Sequence, residues 1–158
     1  QNIQPINFIF PAPLGGLFDA HVDYEQKEYL ENCARLMEEY KESAPDKWKY
    51  LFETQEAIDR LLAGKCMLGV EIRKAYLEGK KEELPACKEQ ITVLLELLET
   101  VIKDVQIQWC RENKIYGLDI LQQQLGGLKQ RMLFACDRLD GYAKGRYDAL
   151  EELSLIHI

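Results

Sequence analysis

Along most of this 158-residue chain, apolar side chains recur at every third or fourth position. That spacing is the period of an α-helix with one buried face. Proline, glycine and capping residues divide the pattern into segments. The predicted fold is therefore mainly α, an antiparallel bundle of about four helices joined by short connections. The predicted helical segments cover residues 23–44, 46–79, 85–112 and 119–145, and a short amphipathic piece follows at 147–153.

Individual residues predict where these helices begin, end and pack. Asp46 and Asp119 are candidate N-caps, and Pro85 suits a first helical turn. Gly79 and Gly145 are expected to end their helices.

Glycines inside the predicted helices also need a reason. Gly64 and Gly69 each cost about 1 kcal/mol relative to alanine, which predicts close approach of a neighbouring helix. Gly126 and Gly127 are interpreted as close-packing positions in the same way.

The first residues break the helical pattern. Residues 6–10 (Ile-Asn-Phe-Ile-Phe) are β-branched and aromatic, and Pro11 and Pro13 follow them, which predicts one short strand. A lone strand leaves both edges unpaired, so its partners are expected upstream of Gln1. Because the chain begins without a methionine, we interpret residues 1–20 as the end of a truncated, sheet-containing domain.

Composition excludes several functional classes. Twenty Lys and Arg against 27 Asp and Glu give a net charge of −7, so no nucleic-acid or membrane partner is expected. No apolar run reaches about 18 residues, and no signal peptide is visible. The five cysteines form no C-x-x-C motif, which favours buried, reduced thiols and a cytoplasmic protein. A disulfide set or a metal site is the less favoured alternative.

The sequence offers no catalytic apparatus of its own. A di-metal centre in a helical bundle needs Glu-x-x-His pairs, and the only histidines are His21 and His157. The sequence also contains no phosphate-binding glycine loop. Because both patterns are absent, no metal and no cofactor are expected. The acidic pairs at 38–39, 82–83 and 151–152 fall on predicted solvated faces or loops.

One stretch is a candidate binding site. Trp109, Arg111, Glu112, Asn113 and Tyr116 cluster at the predicted end of the third helix. Cations and an Asn near a helix C-terminus can be purely structural. The same residue types also suit a sugar, because an aromatic face stacks on the ring while polar groups bond its hydroxyls. Both interpretations stay open on composition alone.

Further motifs follow this stretch in a defined order. Residues 109–117 (Trp-x-Arg-Glu-Asn-Lys-x-Tyr-Gly) are followed by Leu-Gly-Gly-Leu at 125–128 and Arg-Leu-x-x-Tyr-x-x-Gly at 138–145. This order resembles the C-terminal helical domain of a bacterial subgroup of family 20 glycoside hydrolases, the exo-β-N-acetylhexosaminidases. Residues 13–19 resemble the link from their catalytic (β/α)₈ barrel. The similarity spans roughly residues 8–152.

The resemblance implies a division of the chain. Residues 1–20 would be the end of the barrel and the linker, including the predicted strand, and residues 21–152 the helical domain. Residues 153–158 (Leu-Ser-Leu-Ile-His-Ile) resemble the translation of a sequencing-library adapter, so we interpret them as an artefact.

The resemblance also implies an activity. Family members remove terminal N-acetylglucosamine or N-acetylgalactosamine with retention, using an adjacent Asp-Glu pair. The Glu protonates the leaving oxygen, and the Asp orients the substrate's own acetamido group as nucleophile. No Asp-Glu dipeptide occurs here, so no catalytic residue is expected in this piece, which would be inactive alone.

The implied partners are the missing barrel, a second subunit in a homodimer and an amino-sugar glycan. In that setting Trp109, Arg111, Glu112, Asn113 and Tyr116 are expected to help wall the sugar pocket, in their own or the partner subunit. The competing hypothesis is a stand-alone helical dimerisation or adaptor module with no catalytic role. A helical domain from another sugar-processing enzyme is a third possibility.

Overall fold

The computed structural model describes residues 9–15 and 19–154, and these residues are mainly helical. Six α-helices lie wholly within them, and short 3₁₀ turns connect several of the helices. The helices are α1 (Tyr24–Ser43), α2 (Lys49–Cys66), α3 (Leu68–Leu77), α4 (Leu84–Glu112), α5 (Leu118–Ala143) and α6 (Glu151–Ser154). The predicted mainly α fold is confirmed.

Neighbouring long helices run antiparallel. The pairs Glu38–Arg60 and Lys41–Glu56, each at 2.9 Å, join α1 to α2 with residue numbers that change in opposite directions. Lys88–Asp140 and Glu99–Lys129 join α4 to α5 in the same way. The main packing runs from α1 to α2, from α2 to α4 and from α4 to α5.

The helix ends agree with the sequence-based predictions at some positions and differ from them at others. Asp23 caps α1, with its Oδ1 accepting from the Gln26 N–H at 2.8 Å. Gly79 and Gly145 adopt φ of +71° and +74° after their helices, as predicted. Pro85 lies in the first turn of α4, also as predicted.

Both predicted acidic N-caps are wrong. Asp46 begins a 3₁₀ turn and pairs with Lys49 at 2.8 Å, while α2 starts at Lys49 without a side-chain cap. Gly117 with φ +91° precedes α5, so Asp119 lies in the first helical turn instead of capping it. Residues 46–79, predicted as one helix, are divided into α2 and α3 at Met67.

The helical glycines serve different purposes. A Cβ on Gly64 would lie 2.4 Å from Leu94 Cδ2, which confirms the predicted close approach of a helix. A Cβ on Gly69 would lie 2.8 Å from the Pro13 carbonyl oxygen, so the N-terminal segment approaches there. The described residues do not support the prediction for Gly126 and Gly127. Among them, nothing lies within 4 Å of a Cβ on Gly126, and a Cβ on Gly127 meets only the Arg131 side chain of the same helix.

The predicted strand is not supported. Ile9 is helical and Phe10 lies in a bend, whereas residues 6–8 fall outside the described residues. Ile9 and Phe10 pack against the helical core. Lys65 donates a hydrogen bond to the Ile9 carbonyl, and Arg131 Nη2 donates to the Phe10 carbonyl at 2.9 Å. Because helices cover their side chains and cations bind their carbonyls, these two residues need no strand partner.

The core lies where α2, α3, α4 and α5 meet, and Leu150, just before α6, and Leu153 within α6 extend its edge. Leu153 is 1% exposed, and its carbonyl accepts from Arg73 Nη1 at 2.9 Å. Residues 155–158 lie outside the described residues, so the adapter interpretation stays a prediction. The fully buried side chains include Leu61, Leu68, Ile72, Leu84, Ile91, Leu98, Leu128, Met132 and Leu139.

The five cysteines are all free. Cys66 and Cys87 are buried, Cys33 and Cys136 are half-buried, and Cys110 is exposed, so the prediction of buried thiols is wrong for Cys110. None of the helices formed by the described residues has an apolar stretch that could cross a bilayer.

Candidate functional site

The candidate residues lie at the turn between α4 and α5. Helix α4 ends at Glu112, and the extended residue Asn113 donates its N–H to the Trp109 carbonyl at 2.8 Å. The indole Nε1 of Trp109 donates to the Lys114 carbonyl at 2.9 Å. A Cβ on Gly117 would lie 3.4 Å from Trp109 Cζ2, so the turn wraps closely around the indole. The indole is therefore held in one orientation.

Tyr50, near the start of α2, reaches the end of α4 because the two helices are antiparallel. Its hydroxyl donates to Glu112 Oε1 at 2.8 Å, and this hydrogen bond to a carboxylate raises the pKa of the phenol. The second Glu112 oxygen accepts from Gln108 Nε2 at 3.4 Å. The guanidinium carbon of Arg111 lies 4.5 Å from the centre of the Tyr50 ring.

A cleft of about 520 Å³ opens between α2 and α4 beside this turn. Trp109, Glu112 and Asn113 line it, so the structure brings three of the five predicted site residues together. Arg111 lies outside the lining and stacks on Tyr50, while Tyr116 projects from the turn and is 83% exposed. The remaining lining residues are Leu51, Thr54, Gln55, Ile58, Val105 and Gln108.

The α2 wall of the cleft was not predicted. Leu51, Thr54, Gln55 and Ile58 occupy positions i, i+3, i+4 and i+7, so they share one helical face. Thr54 and Gln55 are polar residues on an otherwise apolar helical face, and this pattern in the sequence could have identified the wall. The Thr54 hydroxyl donates to the Tyr50 carbonyl at 2.8 Å, and Gln55 Nε2 donates to Asp59 Oδ1 at 2.8 Å.

Asp59 is a buried carboxylate behind the cleft. Its residue is 6% exposed, and burial raises the pKa of its carboxyl group, while the Gln55 hydrogen bond acts in the opposite direction. Removal from water disfavours the charged form of an acid, which explains the direction. Asp59 is held by Gln55 and does not line the cleft.

Apart from the Glu112 carboxylate, the residues that line the cleft are uncharged, and their chemistry suits binding of a polar molecule. Leu51, Ile58 and Val105 provide apolar surface, and Trp109 adds an aromatic wall. The amide groups of the lining Gln and Asn residues can donate and accept hydrogen bonds without carrying charge. The described residues contain no group of three or more His, Cys, Asp or Glu placed to hold a metal ion.

The fold and the cleft define a mainly α domain with a surface suited to a polar ligand. The model of one protein family, the glycoside hydrolase 20C C-terminal domain, matches residues 4–157. The chain belongs to this family, which confirms the resemblance and identifies the parent protein as a glycoside hydrolase. A search of curated proteins found no match to the chain.

Proposed function

We propose that the chain is the C-terminal part of an exo-β-N-acetylhexosaminidase that removes terminal N-acetylglucosamine or N-acetylgalactosamine. The observation that carries this proposal is membership of the 20C C-terminal family over residues 4–157. The reaction would proceed with retention, with the substrate's acetamido group as nucleophile. The Asp-Glu pair would lie in the (β/α)₈ barrel whose end and linker are residues 1–20, because this chain contains no such dipeptide. Residues 21–152 would be inactive alone.

The helical domain would pack on that barrel, take part in a homodimer and complete the sugar pocket with its α4–α5 turn. Three features support this role. The Trp109 indole is fixed by its bond to Lys114. Arg111 makes no hydrogen bond or ion pair with the other described residues, so its N–H groups are available to oxygen acceptors. Asn113 and Tyr116 are exposed beside it. The free thiols favour a cytoplasmic enzyme.

Kinetics of the full-length enzyme on an aryl N-acetylglucosaminide test the pocket role. Trp109→Ala and Arg111→Ala should raise KM or lower kcat/KM while the circular dichroism spectrum stays native. Arg35→Ala is a matched control, because Arg35 is exposed on α1 and, among the described residues, bonds only Asn32. Unchanged kinetics in both site variants would remove the pocket role.

The reading frame upstream of Gln1 tests the enzyme itself. A barrel-sized stretch with an Asp-Glu pair at a strand end is expected. A start codon directly before Gln1, or an unrelated upstream domain, would contradict the proposal. The stand-alone dimerisation or adaptor module would then be the better hypothesis.

A further inference from the structure

Tyr50 connects two helices at the candidate site. It belongs to the first turn of α2, whereas Arg111 and Glu112 belong to the last turn of α4. Antiparallel packing brings these two ends together, with the Gly64–Leu94 contact farther along the same helix pair. Tyr50 is half-buried and touches both α4 residues with different parts of one side chain.

We propose that Tyr50 is a positioning residue of the proposed sugar pocket, holding Arg111 for the substrate through its ring and Glu112 through its hydroxyl. This inference rests on the proposed function. It adds a residue from α2 to a site whose predicted members all come from residues 109–116.

The contact with Arg111 carries the inference. A long guanidinium side chain without a partner samples many rotamers, and restricting them before binding lowers the entropic cost of binding. The Tyr50 ring lies 4.5 Å from the guanidinium carbon and provides the attraction between a cation and an aromatic face. No hydrogen bond or ion pair to the other described residues engages the Arg111 N–H groups, so they remain available to a ligand.

The contact with Glu112 assigns that residue a supporting role. Its Oε1 accepts from Tyr50 at 2.8 Å and its Oε2 accepts from Gln108 at 3.4 Å. These two hydrogen bonds use one acceptor site on each oxygen, so Glu112 keeps further lone pairs that a substrate hydroxyl can reach. Through its bond to Tyr50, Glu112 ties the end of α4 to α2 beside Arg111.

The geometry is tested first by NMR on the 158-residue chain. A ring stacked on Arg111 should shift the Arg111 side-chain protons upfield. Tyr50→Phe retains the ring and should retain the shift, whereas Tyr50→Leu should abolish it. The same Arg111 shifts in Tyr50→Leu and wild type would overturn the stacking arrangement.

The function is tested by kinetics of the full-length enzyme. Tyr50→Leu should raise KM about five-fold, with kcat changed less than about two-fold, because the reacting atoms contact the barrel. Tyr50→Phe should restore KM to within about two-fold of wild type, since it keeps the stack. Tyr24→Leu is the matched control, because the Tyr24 hydroxyl also donates to a carboxylate, Glu71 Oε1, at 3.1 Å. Its KM should equal that of wild type.

The outcomes separate this inference from the proposed function. If Trp109→Ala and Arg111→Ala raise KM but Tyr50→Leu does not, the Tyr50 inference is wrong and the pocket role stands. If Tyr50→Leu and Tyr50→Phe lose only thermal stability, Tyr50 is merely structural and the inference is again wrong. If none of the four variants changes KM, both proposals fail.

Discussion

Gly64 and Gly126 provide a paired test of how α2 packs against α4. Both lie inside long helices, where alanine is favoured over glycine by about 1 kcal/mol. They differ in their surroundings, because a Cβ on Gly64 would lie 2.4 Å from Leu94 Cδ2, whereas a Cβ on Gly126 would have no atom of the described residues within 4 Å. The same substitution should therefore have opposite effects at the two positions.

The magnitude follows from these distances. Leu94 is 3% exposed, so its methyl group has little room to retreat, and overpacking of this kind costs about 1–3 kcal/mol. After the gain in helix propensity, Gly64→Ala should lower the free energy of unfolding by about 1 kcal/mol. Gly126→Ala should raise it by about 1 kcal/mol, so the two variants should differ by about 2 kcal/mol.

Urea unfolding followed by far-UV circular dichroism measures both variants. Leu94→Ala removes the methyl group that meets the new Cβ, so Gly64→Ala should become stabilising in that background. Equal stabilisation by Gly64→Ala and Gly126→Ala in the wild-type background would refute the close approach of Leu94. So would a Gly64→Ala effect that Leu94→Ala leaves unchanged.

Two further predictions concern protonation. Because burial raises the pKa of Asp59, the folded state binds its proton more tightly than the unfolded state, and stability falls as pH rises between the two pKa values. Asp59→Asn should therefore be more stable than wild type at pH about 8, and urea titrations should show this gain vanish below the unfolded pKa of about 3.9. A gain that is constant with pH would contradict the assignment. Burial also raises the pKa of the Cys66 and Cys87 thiols, so a disulfide reagent should modify the exposed Cys110 first. Mass spectrometry measures the rate of labelling at each cysteine. Faster labelling of Cys87 than of Cys110 would contradict the burial of Cys87.

The candidate site was predictable only in part. The sequence alone predicted that Trp109, Glu112 and Asn113 cluster at one helix end, because they are neighbours along the chain. Tyr50 and Gln55 come from a helix more than fifty residues earlier along the chain. No local pattern links them to Trp109, because the link is made by the packing of α2 on α4.

The sequence alone determined the helical segments, because an apolar stripe of helical period depends on residues three and four apart. It also determined the stops at Gly79 and Gly145, because glycine adopts the positive φ found there without the steric cost of a side chain. The tertiary structure decided what each segment meets. It placed Ile9 and Phe10 on helices instead of in a sheet, and it set Gly64 against Leu94 while leaving Gly126 open. Such contacts join residues far apart in the chain, so local preferences cannot specify them.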